Sequence, residues 1–287
     1  MTLKIIDGKK IAGIIKKEAS KELENLYNQY KIKPNITTIK IGNDSSSDLY
    51  LRLRDNACKE IGITSNHLEF PDDVTEKEII NSINKLNSDN KVHGILIQFP
   101  IPNHISANKL FKSIQPNKDV EGFNPHNLGK TLIGDESIIP CTPLAVLKIL
   151  EYEKEKIEGK DIVIINHSNI VGKPLAILLL NRNATTSICH VFTKNLKNYT
   201  SKADILITAT GIPNMLTKDF VKKGSFIIDV GISKTKNGIT GDVDFKSVKD
   251  KINSITPVPG GVGPITVACA IKNMLKTYRY CLESNNF

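Results

Sequence analysis

Apolar positions near the start of the chain recur at helical spacing. Ile11, Ile14, Ile15, Ala19, Leu23 and Leu26 fall on one face, which predicts an amphipathic helix. From residue 36 to about residue 114 the pattern then switches back and forth between two periods. Residues 36–41 read as a strand. Residues 47–61 carry a helical pattern that ends at Gly62, a natural stop because glycine accepts the left-handed backbone there. A short strand is expected over 66–70 and a helix over 75–86, where Thr75 and Glu78 make a capping-box signature. Residues 92–98 form a continuous apolar run, stopped by Pro100 and Pro102. Strands alternating with helices favour a mostly parallel sheet covered by helices.

After a polar loop at 118–125, Pro140-Cys141-Thr142-Pro143 opens a helix over 144–153, with Thr142 as the expected N-cap and Pro143 at the first helical position. A second alternating series follows. Strands are expected at 162–166, 187–192, 205–209 and 226–230, and a helix at Gly172–Leu180. This is the spacing of a doubly wound nucleotide-binding domain. Val267, Ala270, Ile271, Met274, Leu275 and Tyr278 make a last helix. The fold class expected is α/β, in two domains, each with a mostly parallel sheet and flanking helices, the C-terminal one of Rossmann type. The expected boundaries are 1–142 plus 262–287 for one domain and 143–261 for the other.

One stretch interrupts these periods. Residues 256–266 hold three prolines and three glycines in eleven positions. Proline fixes φ and glycine frees it, so such density specifies one unusual backbone path. One reading is a turn before the last helix; the favoured reading is a ligand loop between two domains, because a simple turn seldom needs so much punctuation.

Composition narrows the class. The 287 residues are 40% hydrophobic and 24% charged, ordinary for a globular protein. No apolar run reaches the ~18 residues that span a bilayer, and Met1 to Lys10 lacks the apolar core of a secretory leader. Five scattered cysteines without a C-x-x-C fit a reducing compartment. A cytoplasmic protein is therefore expected, without membrane attachment. The histidines form no ligand-like cluster, so no metal is expected. The net charge of +9 is spread along the chain, with neither the focused patch nor the motif of a nucleic-acid binder. A basic surface suits an anionic small substrate.

Candidate chemistry sits at strand ends. In the turn from Asn166 to Pro174 a strand passes into a helix, the place where a dinucleotide pyrophosphate meets free N–H groups. The G-x-G-x-x-G pattern is absent, and an ordinary strand–helix turn is an equal reading. An NAD-binding chain normally places an acid after the next strand. Residues 183–202 contain no acid, but do contain His190, Lys194 and Lys197. That favours a 2′-phosphate and hence NADP over NAD, unless the stretch is simply basic surface. Tyr50 and Arg54 are i,i+4 neighbours able to hold a flat anionic ligand, although such pairs are more often surface contacts. Gln98 stands at the C-terminal end of an apolar strand, where parallel sheets bind ligands.

Several motifs together resemble one family. They are Gly94-Ile95-Leu96-Ile97-Gln98-Phe99-Pro100, Lys118-Asp119-Val120-Glu121-Gly122, Pro140-Cys141-Thr142-Pro143, Ser168-Asn169-Ile170-Val171-Gly172-Lys173-Pro174, Ile228-Asp229-Val230-Gly231-Ile232 and the proline-glycine loop. In this order they resemble the methylenetetrahydrofolate dehydrogenase/methenyltetrahydrofolate cyclohydrolase family, from Asp7-Gly8-Lys9 to the last helix. The resemblance implies NADP-dependent oxidation of 5,10-methylenetetrahydrofolate to the methenyl cation, then hydrolysis to 10-formyltetrahydrofolate. It implies a folate-binding catalytic domain, a NADP-binding domain, and a homodimer acting on tetrahydrofolate derivatives, polyglutamylated forms included.

Site roles carry over the same way. Tyr50 would stack on the folate and Gln98 would orient the catalytic base, whose position Arg54 occupies. Ser47, Glu121, Pro259, Gly260, Gly261, Pro264 and Thr266 would complete the substrate site. Thr142, Asn166, His167, Ser168, Gly172, Val191 and Ile232 fall on cofactor positions. Three of these depart from the family pattern. Arg54 replaces the catalytic lysine, Glu121 replaces an aspartate, and Asn166 replaces the first glycine of the cofactor loop. Lysine shuttles a proton once its pKa falls, whereas arginine stays protonated. The hydrolytic step is the one exposed by that change, and Arg54→Lys is expected to raise it at least about tenfold. A non-catalytic folate- or nucleotide-binding relative is the alternative, and an unrelated Rossmann dehydrogenase a more distant one.

Overall fold

The computed structural model describes residues 3–42, 45–236 and 238–284, and of residues 45–49 the backbone only. In chain order the elements are β1 (Lys4–Ile5), α1 (Gly8–Tyr30), β2 (Asn35–Ile41), α2 (Ser45–Ile61), β3 (Thr64–Phe70), α3 (Glu76–Ser88), β4 (Gly94–Ile97), α4 (Ala107–Ser113), α5 (Pro125–Leu132) and α6 (Cys141–Glu153). There follow β5 (Asp161–Ile165), α7 (Gly172–Leu180), β6 (Thr185–Cys189), α8 (Lys197–Thr200), β7 (Ile205–Thr208), β8 (Phe226–Asp229), β9 (Ser233–Thr235), β10 (Gly238–Thr240), α9 (Phe245–Val248), β11 (Ser254–Ile255) and α10 (Val262–Ser284).

The chain divides into two compact units. One comprises residues 14–141 and 267–287, the other residues 1–13 and 142–266. In the first unit β2 lies between β3 and β4, both parallel to it. Ile36, Ile39, Ile95, Leu96 and Ile97 are buried on this small sheet. The last helix covers β4 closely. A Cβ at Gly94 would lie 2.5 Å from Met274 Sδ and 2.6 Å from Val120 Cγ2, so only glycine admits that approach. Ahead of α3, Thr75 accepts from the Glu78 N–H while the Glu78 carboxylate accepts from the Thr75 N–H, the reciprocal cap read from the sequence.

The second unit holds a parallel sheet in the order β1-β11-β8-β7-β5-β6, with a separate antiparallel hairpin of β9 and β10. Val163, Ile165, Leu206, Ile227 and Ile255 anchor a core shared with Leu216, Val243, Val248 and Ile252. The order steps from β5 to β6 on one side and to β7 on the other, which is the switch point at which doubly wound sheets bind ligands.

Two expectations shift at their edges. The helix expected from 144 begins at Cys141, which puts Thr142 inside its first turn and not at its N-cap. Pro143 costs nothing there, because a first-turn N–H has no helical partner. The strand expected over 187–192 is Thr185–Cys189. It ends where the His190 N–H turns to Thr193 Oγ1 at 2.8 Å. β1 and β11, two residues each, are too short to leave a period in the sequence. Among the described residues no helix is long and apolar enough to cross a membrane.

Candidate functional site

In the unit built on the three-stranded sheet, α2 buries Leu51, Arg54, Ala57 and Cys58, and Arg54 is the unusual member. Its side chain is fully buried. Nη2 donates to Thr38 Oγ1 at 2.8 Å, and Nη1 makes a long 3.5 Å contact with Gln98 Oε1. Thr38 lies on the central strand, opposite Leu96 of β4, so the sheet itself positions the acceptor. Gln98 follows β4 directly. Its N–H continues the ladder to the Ile39 carbonyl at 2.8 Å, and its side-chain amide donates to the Phe99 carbonyl at 3.0 Å, which leaves Oε1 turned to Arg54. Arg54 Nε is buried and has no partner among the described residues. An ionised group in that position is costly unless opposite charge is close.

That charge comes from the loop after α4. Lys118 is buried, and its ammonium donates to the carbonyls of Leu86, Asn87 and Asp89 at 3.1, 2.7 and 2.8 Å. Asp119 is buried as well. It accepts from the N–H groups of Gly122 and Asn124 at 3.0 and 2.8 Å and from Asn127 Nδ2 at 2.9 Å. Gly122 has a φ of 72°, and a Cβ there would come within 2.8 Å of Pro140 N, so the loop path is tightly set. Glu121 stands between these fixed neighbours. Burial pushes its carboxyl up to about 7, against the pull of Arg54 and of a hydrogen bond with Cys141; Asp119 adds to the rise. Burial likewise holds the Tyr50 phenol well above its ordinary value, with Glu121, Cys141, Arg54 and Cys269 as charged or ionisable neighbours. The structure therefore brings Tyr50, Arg54, Gln98 and Glu121 together. The side chain of Ser47 lies outside the described residues. Thr38 joins the group without any sequence signal, since it meets Arg54 only where α2 lies against β2; Cys141 stands out in the sequence only as part of the 140–143 motif.

In the other unit the turn after β5 is organised by Asn166. Its Nδ2 donates to the Ala209 carbonyl at 2.7 Å. Its Oδ1 accepts from Ser168 N–H, Ser168 Oγ and Gly172 N–H at 2.9, 2.7 and 3.1 Å. The side chain thus folds into the turn rather than outward. Gly172 begins α7 so close to the strand end that a Cβ would lie 1.9 Å from the Asn166 carbonyl oxygen. That close approach of helix and strand is what a dinucleotide turn requires of its glycine. His167 and His190 follow the neighbouring strands β5 and β6, and their rings are 5.0 Å apart. Val191 and Ile232 are exposed at 82% and 62%, apolar positions beyond the ends of β6 and β8. Thr142 is half-buried in the first turn of α6. A close-packed glycine turn, exposed apolar side chains at the strand ends and imidazoles in place of a carboxylate fit a phosphorylated dinucleotide.

The proline-glycine loop belongs to this same unit. The Gly8 N–H donates to the Gly260 carbonyl at 3.1 Å, and a Cβ on Gly8 would lie 1.8 Å from the Gly261 oxygen. A Cβ on Gly261 would meet the Pro257 carbonyl at 2.5 Å, and Gly260 has a φ of 103°. Gly8 is thus required by packing between the segment after β1 and this loop, Gly261 by packing within the loop, and Gly260 by its positive φ. Pro259 is exposed, Gly260 and Pro264 are half-buried, and Thr266 is buried, its hydroxyl donating to the Val262 carbonyl at 3.2 Å.

Comparison with known proteins decides the family. Residues 6–121 match the catalytic domain of tetrahydrofolate dehydrogenase/cyclohydrolase, and residues 140–282 match its NAD(P)-binding domain. The chain belongs to the tetrahydrofolate dehydrogenase/cyclohydrolase family. The bifunctional protein FolD of Methanosarcina barkeri is 48% identical over 282 residues, covering 98% of this chain and 97% of that one. The crystal structure of the bifunctional FolD from Campylobacter jejuni superimposes with a TM-score of 0.94 at 43% identity, over 97% of this chain and 99% of that one. The Trypanosoma brucei methylenetetrahydrofolate dehydrogenase-cyclohydrolase, solved with NADP cofactor and an inhibitor, gives 0.92 at 32% identity, over 98% of both chains. In this member of the dehydrogenase/cyclohydrolase family, the catalytic-domain match ends at Glu121 and the NAD(P)-domain match begins at Pro140, so both groups of side chains described above lie within matched residues.

Proposed function

We propose that Tyr50, Arg54, Gln98 and Glu121 hold and orient the folate in an enzyme of one-carbon metabolism. The chain is a methylenetetrahydrofolate dehydrogenase/methenyltetrahydrofolate cyclohydrolase that uses NADP. The observation that carries the assignment of residues is the buried Arg54, held by Thr38 and Gln98 beside a carboxyl that burial has made weak. A fold keeps such a cluster dry only at a cost, and perturbed groups of this kind gather at functional sites.

NADP supplies the hydride acceptor when bound. The turn of Asn166, His167, Ser168 and Gly172, with Thr142, Val191 and Ile232, is the part of this chain suited to hold it. The folate end does the orienting. The Tyr50 ring offers a flat face for the pterin, and its high pKa keeps the hydroxyl a hydrogen-bond donor. Gln98 is fixed at both ends of its amide and so presents a set direction. The methenyl product is a cation, and an ionised Glu121 offsets the repulsion it would feel from Arg54. Holding the reacting carbon in line is the main service such a site gives hydride transfer. Ser47, from the same helix as Tyr50 and Arg54, belongs to the substrate site in this reading.

A homodimer and a cytoplasmic location complete the assignment. β6 is an edge strand in the described sheet, with Ile188 exposed at 39% on it, and an uncovered apolar edge favours pairing. The chain's basic excess suits polyglutamylated folates. One assay tests the whole reading: absorbance of NADPH formed from methylenetetrahydrofolate, with NAD run in parallel. No reduced cofactor formed from either nucleotide would end it, and light scattering checks the dimer.

A further inference from the structure

We infer that Glu121 is the proton-transfer group of the hydrolytic half-reaction, a role the chain's Arg54 is unable to fill. The inference rests on the proposed function and assigns one of its steps. Water adding to the methenyl carbon must lose a proton, and the neighbourhood of Arg54 offers few groups to take it. Arg54 stays protonated at any working pH. Asp119 spends its carboxylate on two backbone N–H groups and Asn127. Lys118 spends its ammonium on three carbonyls. Gln98 is an amide. The Tyr50 phenol and the Cys141 thiol are both held well above their ordinary values by burial, so neither is a base near neutrality. Glu121 remains. It sits on a loop that runs parallel to β4, where Asp119 pairs with Ile95 and the Val120 N–H donates to the Ile95 carbonyl at 3.3 Å. Gln98 follows the same strand, and Arg54 from α2, Asp119 from its own loop and Cys141 from α6 are its charged or ionisable neighbours. It is half-buried, so its side chain is not sealed from solvent. Its extra methylene over aspartate lengthens its reach.

The step balances. Water oxygen bonds to the methenyl carbon and gives one proton to the Glu121 carboxylate, leaving a neutral carbinolamine. Glu121 returns that proton to N5 as the carbon–N5 bond breaks. The hydroxyl proton passes to solvent as the formyl carbonyl forms. Cation plus water thus yields 10-formyltetrahydrofolate and one proton, with Glu121 restored. A carboxyl titrating at about 7 is matched to both halves of that exchange. Arg54 then has a positioning role, holding Gln98 and keeping Glu121 from being wholly protonated.

The test feeds methenyltetrahydrofolate to purified full-length protein and follows loss of its absorbance above the uncatalysed rate, with methylenetetrahydrofolate oxidation measured on the same samples. Glu121→Gln should lower hydrolysis by about 100-fold or more. It should lower the ratio of hydrolysis to oxidation at least about tenfold. The inflection near pH 7 should vanish in Glu121→Gln and persist in Glu121→Asp, with thermal melts confirming that each variant folds. Equal losses in both activities with an unchanged pH profile would reduce Glu121 to a binding residue and overturn the inference. Arg54→Lys alone raising hydrolysis tenfold or more, the outcome the family resemblance implies and this inference replaces, would also overturn it, since a proton carrier would then have been missing. Oxidation without any hydrolysis in the natural protein would sink the inference and leave the dehydrogenase reading standing. Absence of both activities would remove that reading as well.

Discussion

Asn166 and Arg54 are both polar side chains turned into the interior of their own units, and the two units absorb them differently. Around Asn166 every side-chain polar atom is satisfied. One carbonyl, one hydroxyl and two N–H groups close on it, and the turn gains a knot that glycine does not supply. Around Arg54 the accounting is incomplete. One nitrogen has Thr38, one has a long contact to Gln98, and Nε has none among the described residues. The remaining compensation is electrostatic, from a carboxyl that burial is driving toward neutrality. A turn can reorganise its own backbone to satisfy a new side chain. A helix packed on a sheet cannot, so the imbalance stays, and Arg54 pulls the neighbouring Glu121 carboxyl down against the rise that burial causes. Residual electrostatic stress of this kind is what a reaction site uses.

The comparison makes the largest effect fall on the side that looks conservative. Asn166→Gly restores the family residue but removes all four bonds. It should cost about 3 kcal/mol of stability and weaken NADP binding, read by chemical denaturation and cofactor titration. Unchanged stability would mean the turn holds without its knot. On the other side, Thr38→Val removes the one good acceptor Arg54 has. A cost of about 2 kcal/mol is expected, with Thr38→Ser recovering most of it; equal loss in both would point to packing instead of the hydroxyl.

Glu121→Gln should act in the opposite direction on stability. The folded-state pKa of Glu121 is raised from 4.5 to about 7, so the unfolded chain releases this proton first. Stability therefore falls as pH rises through that window, and the amide is spared the loss. Melts of the variant and the natural protein should coincide near pH 4.5 and separate in favour of the variant by about 1–2 kcal/mol at pH 8, allowing for partial solvent access. A variant less stable at pH 8 would show that the ionised carboxylate is a net stabiliser of Arg54. The smallest effect concerns His167, His190 and Lys194, which stand where an NAD site keeps an acid. NADP should bind more tightly than NAD by about 1 kcal/mol or less, and the margin should shrink with added salt. Tighter binding of NAD would overturn that preference.

Much of this was legible in the order of residues. The alternation of periods gave both parallel sheets, the capping box at Thr75 and the switch-point turn, because helix and strand repeats differ and caps use specific side chains. Tyr50 and Arg54 were readable as one-turn neighbours, and Gln98 as a strand end. The rest depended on which segments meet in space. No local pattern joins β1 and β11 to a sheet, because two residues carry no period. Thr38 became a partner of Arg54 only because α2 packs its buried face against the sheet that holds β2, and the inward fold of Asn166 depended on the Ala209 carbonyl that follows β7. Above all, the sequence by itself determined only that a glutamate stands two residues beyond Asp119. Its pKa near 7 is a property of burial beside Arg54 and Asp119. Desolvation and charge act through distance, and distance between residues 54, 119 and 121 is fixed by tertiary packing.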